Sequence, residues 1–307
     1  MEQDYNLKRG IFFILLSASG FATMGMLVHA AGDIPFIQKT LFRNLIAFLI
    51  AFSALIVKAR YDRTVLQIPK GSLKFLILRS ALGSIGIFGN FYALDRMNIS
   101  DAAMLNKMSP FFSVLASMFI LGEKPTFVSV LSLIAAFSGS LLVIKPSFDF
   151  TKFFPALVGF AGGIGAGIAY TFVRKLHSYK VNGNLIIAFF SAFSCLLAVP
   201  YMIFNYTPMT TKQLLLLLGA GVAAACGQIG VTGAYFNAPA SKISIYEYTQ
   251  IIFSAILGFL AFGQIPDATS IIGYTIIIGS AAAVLVSASL GSIRTLSANG
   301  LSIIVCF

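Results

Sequence analysis

Charged residues are scarce in this sequence. They make up 10% of its 307 residues, whereas a typical soluble domain carries about a quarter. Hydrophobic residues make up 58%, and the mean hydropathy is +0.91. So little charge with so much apolar surface excludes an ordinary soluble domain and predicts a chain that lies in lipid.

Cysteine and histidine are also rare. The three cysteines (Cys195, Cys226 and Cys306) have no metal-binding spacing, and two fall inside apolar runs, which argues against a disulfide framework. The two histidines form no cluster, and no zinc-protease helix, P-loop or Ser/His pair occurs at usable spacing. We therefore expect no enzyme activity, no catalytic residue, no cofactor, no bound metal and no ATP-driven step.

Acidic residues are outnumbered by basic ones, and the formal net charge is +11. Strongly basic domains often bind nucleic acid. Here, however, the basic residues lie in short gaps between apolar runs, as in the cytoplasmic loops of membrane proteins. We therefore expect membrane lipid and a small-molecule substrate as partners, and no nucleic acid.

Apolar runs long enough to cross a bilayer recur along the chain. A lipid-embedded backbone must satisfy its own hydrogen bonds, so the runs predict a multi-pass, all-α membrane protein with ten transmembrane helices. The expected spans are 10–31, 34–57, 75–94, 102–121, 127–144, 153–173, 185–204, 214–236, 243–262 and 270–290.

The basic residues also predict an orientation. With the N-terminus inside, only Arg96, Lys145, Lys152 and Lys212 clearly fall outside. The excess of inward-facing Lys and Arg favours a protein of the cytoplasmic (inner) membrane with both termini in the cytoplasm.

The second half of the sequence repeats the first. A shift of 141 residues (227 − 86) matches Gly86 with Gly227, and the same register aligns residue 122 with 263, 125 with 266 and 129 with 270. Each half holds five helices, and because five is odd the second must enter the membrane in the opposite direction. We expect two inverted five-helix repeats, 1–150 and 151–290, followed by a tail at 291–307. Such repeats are typical of transporters with a substrate site near the midplane.

The stretches 99–126 and 238–267 resemble the two repeats of the EamA family in the drug/metabolite transporter superfamily. Each has a small-residue helix start, a polar break and an exit, which is Gly122-Glu123-Lys124-Pro125 in the first and Gly263-Gln264-Ile265-Pro266 in the second. The resemblance covers about 10–290. It implies a central cavity, alternating access and a secondary transporter of a small polar or amphipathic metabolite, such as an amino-acid-like solute. It fixes neither the substrate nor the direction of transport.

Glu247 is the sharpest candidate for the site, because every other acid falls near a span boundary or in a gap. In the repeat register it corresponds to Asn106. An ionisable group inside a span marks a functional site by default. Tyr246, Tyr248 and Gln250 add donors and ring faces beside it. The alternative is a structural ion pair with Lys107.

Lys107 lies within the fourth span, next to Asn106 and just before Pro110. It either extends along the helix to reach the outer headgroups, or faces the cavity and favours a substrate with a carboxylate or phosphate. Proline removes one backbone hydrogen bond and leaves a bent, polar patch. We expect the cavity-facing position.

Three further side chains have expected positions. Arg43, early in the second span, either reaches the outer headgroups or acts at the outer mouth of the cavity. Arg79 is expected to be a cytoplasmic anchor. Tyr92 is a candidate for lining the cavity.

Two other classes of function remain open, an integral membrane enzyme and a non-transporting membrane scaffold. Neither needs a carboxylate at cavity depth within inverted repeats. Without an ATP module, uphill movement must draw on an ion gradient or on exchange, so a proton or a counter-substrate is the expected coupling partner.

Overall fold

The structure, a computed structural model, describes residues 5–97, 99–146 and 153–298. Those ranges are entirely helical and contain no strand. The helices are α1 Leu7–Ala30, α2 Phe36–Ala59, α3 Leu73–Arg96, α4 Ile99–Asn106, α5 Ser109–Leu121, α6 Phe127–Ile144, α7 Phe153–Ser178, α8 Gly183–Phe204, α9 Thr211–Asn237, α10 Ala240–Ile243, α11 Thr249–Phe262 and α12 Ala268–Ala298.

Ten of the described segments are long and apolar enough to cross a membrane. They fall at the ranges expected from the sequence, which confirms the all-α, ten-span class. α4 with α5 forms one span, and α10 with α11 forms another. α12 runs past the expected end at 290 to Ala298. Residues 299–307 of the predicted tail lie outside the described residues.

Both composite spans are broken at the same register. The first is interrupted at Lys107–Met108, and the second by a 3₁₀ turn at Ser244–Tyr248. Pro110 lies in the first turn of α5, where its fixed φ suits a helix start and its missing N–H removes no bond. Each span ends at a glycine in the left-handed region, Gly122 at φ 69° and Gly263 at φ 67°. A side chain would strain the backbone there.

Small residues bring pairs of helices from opposite halves into contact. A Cβ on Gly20 of α1 would lie 2.7 Å from the backbone nitrogen of Gly227 in α9. A Cβ on Gly86 of α3 would lie 3.1 Å from Ala166 in α7. α2 packs on α8, and α6 on α12. Exchanging the two halves maps these pairs onto one another, as the repeat register predicts. The division at 150 and the inverted orientation stay predictions.

The helix ends form two faces of the bundle. The near face carries the start of α1, the ends of α5, α7 and α9, and the start of α10. The far face carries the end of α1, the start of α2, the ends of α3, α6 and α8, and the start of α12. A hydrophobic cluster between the faces joins both halves through Ile14, Val114, Val173 and Val231.

Candidate functional site

The two broken spans bring polar side chains into the middle of the bundle. Breaks free backbone groups that neighbouring side chains must satisfy, and in membrane transporters they commonly form binding sites. The Tyr248 hydroxyl donates to the Lys107 carbonyl at 3.0 Å. Tyr248 is fully buried, so it joins the second break to the first across the interface between the halves.

Glu247 is bound by a buried hydroxyl network. The Tyr235 hydroxyl, from α9, donates to Glu247 Oε1 at 2.8 Å. Tyr235 Oη also lies 2.7 Å from Ser113 Oγ and 3.0 Å from Ser244 Oγ. A phenol has one hydrogen, so while it donates to the carboxylate it can only accept from the serines. The carboxylate of one half is thus connected to Ser113 of the other.

Lys107 points into the bundle. It is 8% exposed, and its Nζ donates to Gln250 Oε1 at 2.8 Å. An ammonium that reached the headgroups would lie at the surface, so this contact places Lys107 away from the lipid boundary. Among the described residues no ion pair joins it to Glu247, although the two charges interact electrostatically. Glu247, Gln250 and Asn106 are partly exposed.

Two arginines lie inside the bundle. Arg79 is 1% exposed, donates to Gln228 Oε1 at 3.2 Å and lies 4.1 Å over the Phe190 ring. The expectation of a cytoplasmic anchor at Arg79 is therefore wrong: the repeat register gives no signal at this position, and its nearness to the helix start suggested the surface. Arg43 is 5% exposed and lies 5.7 Å from the centre of the Phe21 ring, inside the bundle rather than at its rim.

The remaining candidates lie apart from this centre. The Tyr246 hydroxyl donates to the Ala281 carbonyl at 3.1 Å, which directs it towards α12. Tyr92 lies near the far face, in edge contact with Phe36 at 5.8 Å and Phe154 at 6.3 Å. It borders an open apolar cleft of about 500 Å³ between α2, α3, α7 and α8. None of the charged residues at the centre lines that cleft.

An ion pair joins helix ends on the near face. Arg174 Nε donates to Glu123 Oε1 at 2.6 Å, and the Ala240 backbone N–H donates to Glu123 Oε2 at 3.0 Å. Arg174 Nη1 also donates to the Tyr235 carbonyl at 3.3 Å. The side chains of Arg174 and Glu123 are only 10% and 12% exposed. This contact, here called the latch, joins α5, α7, α9 and α10.

Several of these residues are not predicted from the sequence. Arg174 follows the sixth expected span, where a loop cation is expected, and Glu123 stands out only as part of the exit motif. One signal was available, since the repeat register places Gln264 at the position of Glu123. Tyr170 and Tyr235 are among the aromatic residues that the sequence offers for lining a cavity, with nothing to separate them from the other aromatics, and Gln228 carries no distinguishing signal. No group of His, Cys, Asp or Glu among the described residues could hold a metal.

Comparisons with known proteins agree with the fold. Residues 8–145 match the model of the EamA-like transporter family. The chain is 28% identical over 279 residues to the pseudopaline exporter CntI of Pseudomonas aeruginosa, covering 89% of this chain and 94% of that protein. It is 26% identical over 286 residues to human solute carrier family 35 member G1, covering 88% and 77%.

A solved crystal structure superposes on the chain with a TM-score of 0.79 at 17% identity, covering 91% of this chain and 98% of the other. At that identity the likeness supports the fold alone. The family match, the relatives and the ten spans agree with the EamA resemblance seen in the sequence. The protein is a multi-pass membrane transporter, similar over residues 8–145 to the EamA-like family.

Proposed function

We propose that the protein is a secondary transporter that moves a small polar or amphipathic metabolite, such as an amino-acid-like solute, by alternating access. The observation that carries this proposal is Glu247. It is a carboxylate on a broken span, bound by the Tyr235 hydroxyl, which also lies 2.7 Å from Ser113 Oγ in the other half. Ionisable groups at such positions in membrane proteins serve substrate or ion pathways.

Tyr235 provides a physical link between this site and the near face. Its hydroxyl binds Glu247, and its carbonyl accepts from Arg174 of the latch. If Glu247 binds a substrate amine or a proton, its hold on the hydroxyl of Tyr235 weakens. A ligand shifts a conformational equilibrium only through different affinities for the two states. Loosening of Tyr235 supplies such a difference, because Tyr235 packs in both the site and the latch.

The energy for uphill movement comes from a proton gradient or from exchange with a counter-substrate, and Glu247 is the group that either would use. We assign the near face to the cytoplasm, with both termini there, in the cytoplasmic membrane. In this orientation the latch closes the inner side. The apolar cleft beside Tyr92 then lies on the outer side of the membrane.

Transport into proteoliposomes tests the function. The full chain is reconstituted and screened for uptake of labelled amino acids, organic acids, sugars and nucleotides, with and without an imposed pH gradient. We expect uptake of at least one class that Glu247→Gln abolishes, while the matched acid-to-amide control Asp267→Asn retains it. Glu247→Gln transporting at the wild-type rate, with unchanged pH dependence, would remove Glu247 from the mechanism. No transport of any class would favour the scaffold or enzyme alternatives.

Labelling of single cysteines tests the orientation. With Cys195, Cys226 and Cys306 replaced, Tyr61→Cys and Ser178→Cys report on the near face and Tyr206→Cys on the far face, since all three positions are exposed. In intact cells an impermeant maleimide should label only the far-face cysteine. Labelling of both near-face cysteines from outside would contradict the assigned orientation.

A further inference from the structure

The buried polar atoms that lack a hydrogen-bond partner are concentrated in one part of the bundle. In the part of the chain that the structure describes, they all lie on α2, α3, α8 and α9, which pack against one another. Native structures leave few such atoms, and a cluster of them calls for an explanation. They are Thr40 Oγ1, Arg43 Nε, Asn44 Nδ2, Arg79 Nε, Ser80 Oγ, Ser191 Oγ and Thr232 Oγ1.

Two of these atoms belong to guanidinium groups that have no anion beside them. Arg43 donates no hydrogen bond to any described residue, and its guanidinium lies 5.7 Å from the centre of the Phe21 ring. Arg79 donates only to the neutral Gln228 and lies over Phe190. Buried charges are normally paired, because an isolated ion in a low-dielectric interior is strongly disfavoured. An aromatic face compensates for only part of that cost.

The charges at the centre of the bundle do not balance. Arg43, Arg79 and Lys107 supply three cations, and Glu247 supplies one carboxylate, which leaves an excess of two positive charges (3 − 1). Glu123 does not reduce the excess, because Arg174 already neutralises it. Arginine suits carboxylate recognition because its donors form a planar fork.

The guanidinium groups and Glu247 are linked through two tyrosines, Tyr170 and Tyr235. Arg43 comes from the far-face end of α2 and Arg79 from the near-face end of α3. Both interact electrostatically with Tyr170, which also interacts with Glu247. Tyr170 stacks on Tyr235 with ring centroids 5.5 Å apart. The two stacked tyrosines thus link the guanidinium groups to the Glu247 site, because the Tyr235 hydroxyl donates to Glu247.

We propose that Arg43 and Arg79 bind the acidic groups of the transported solute. Resting on the transporter function proposed above, this inference names the substrate class: a small solute with two carboxylates and one amino group. The carboxylates bind the guanidinium groups and the amine binds Glu247. The solute satisfies donors that are otherwise unpartnered and reduces the central excess from two positive charges to one.

Ligand-induced thermal stabilisation of the purified full chain tests the inference. The probes are L-glutamate (two carboxylates and an amine), glutarate (two carboxylates), L-glutamine and L-lysine, with sodium chloride at matched ionic strength as the reference. We expect L-glutamate to stabilise most, glutarate less, and the other two no more than the salt. Equal stabilisation by chloride and the acids, or a preference for lysine, would overturn the inference.

Variants at the two arginines separate binding from structure. Arg43→Met and Arg79→Met remove charges that have no anionic partner, so each should leave the ligand-free protein as stable as wild type or more stable. Each should weaken glutamate binding by at least about tenfold, because a charge-assisted bond is lost. Arg79→Lys should recover part of the affinity. The exposed Arg96→Gln is the control and should bind as wild type does.

A structural role for these arginines predicts the reverse, namely lower stability without ligand and unchanged affinity in the variants that fold. The assay also separates this inference from the function on which it rests. Transport of neutral or basic solutes without acid binding would overturn the inference and leave the transporter standing. Acid binding without transport of any solute would overturn the transporter function and leave the acid-binding site standing.

Discussion

The fourth span of each half, Ala102–Leu121 and Ala240–Phe262, has nearly the same backbone and very different charges. Both are broken at the same register and end at a left-handed glycine. Beyond that glycine even the closing bond is the same, from Glu123 N to the Ser117 carbonyl at 3.2 Å and from Gln264 N to the Gly258 carbonyl at 3.3 Å.

The side chains at matched positions differ. Where the first half has Asn106 and Lys107, the second has Glu247 and Tyr248. Glu123 reaches across to α7 and α10, whereas the exposed Gln264 lies against Gly258 of its own helix. The matched positions therefore preserve the break and the glycine turn, whereas the mismatched positions differ in charge and in hydrogen-bond partners.

Removing the charge at Lys107 should have the largest of the three effects that test this comparison. Lys107→Met keeps the stem and eliminates a cation that costs about 2.5–3.5 kcal/mol on insertion. The protein should insert at least as well, while transport of an acidic solute falls about tenfold through loss of a charge-assisted contact. Initial uptake rates, normalised to inserted protein, measure the effect. Undiminished uptake would return Lys107 to a purely structural role.

Glu123→Gln gives the two exits the same first two residues. It removes the ion pair to Arg174 but keeps an acceptor, so we expect a loss of about 1.5–3 kcal/mol in the stability of the near face. Transport should change only a few-fold. Maleimide reaction of Ala240→Cys, behind the latch, should quicken, while the equally buried Ala93→Cys control near the far face keeps its rate. An unchanged rate at residue 240 would show that the latch does not close this face.

Asp267→Asn should have the smallest effect. Lys145 donates to this exposed carboxylate, and the bond holds the pKa of Asp267 below its ordinary value, with Ser270 adding to the effect. A lowered pKa stabilises the folded state above about pH 4, the unfolded value, and that contribution is lost as pH falls below it. The unfolding temperature of the variant should therefore be slightly lower than that of the wild type at neutral pH, and the two temperatures should be indistinguishable in acid. A large difference at neutral pH would contradict the expectation that this exposed pair contributes little to stability.

Much of the fold could be predicted from the sequence because membrane spans depend on length and hydropathy, which are local properties. The break at Lys107 was also accessible, since Pro110 and the polar residues Asn106 and Ser109 mark it, and the repeat register places its counterpart next to Thr249. Glu247 could be predicted because acidic residues are rare in the spans and it alone lies well inside one. Whether it acts in transport remains a proposal.

The positions of the arginines could not be predicted in the same way. Arg79 and Arg174 lie near helix ends, where most cations anchor a helix to the headgroups, and only tertiary packing shows that both are buried. Depth along a helix can be estimated from residue number, but the direction a side chain faces depends on which helices surround it. The pairing of α3 with α7 and α8 determines that direction for Arg79.

The pH dependence of transport by the Lys107→Met/Glu247→Gln double variant tests the central claim most directly. If Glu247 carries the transport chemistry, the double variant folds and inserts but stays as inactive as Glu247→Gln alone. If the two residues form only a structural pair, each single variant loses stability and the neutral double variant recovers both folding and transport. A double variant with wild-type rate and wild-type pH dependence would contradict the account.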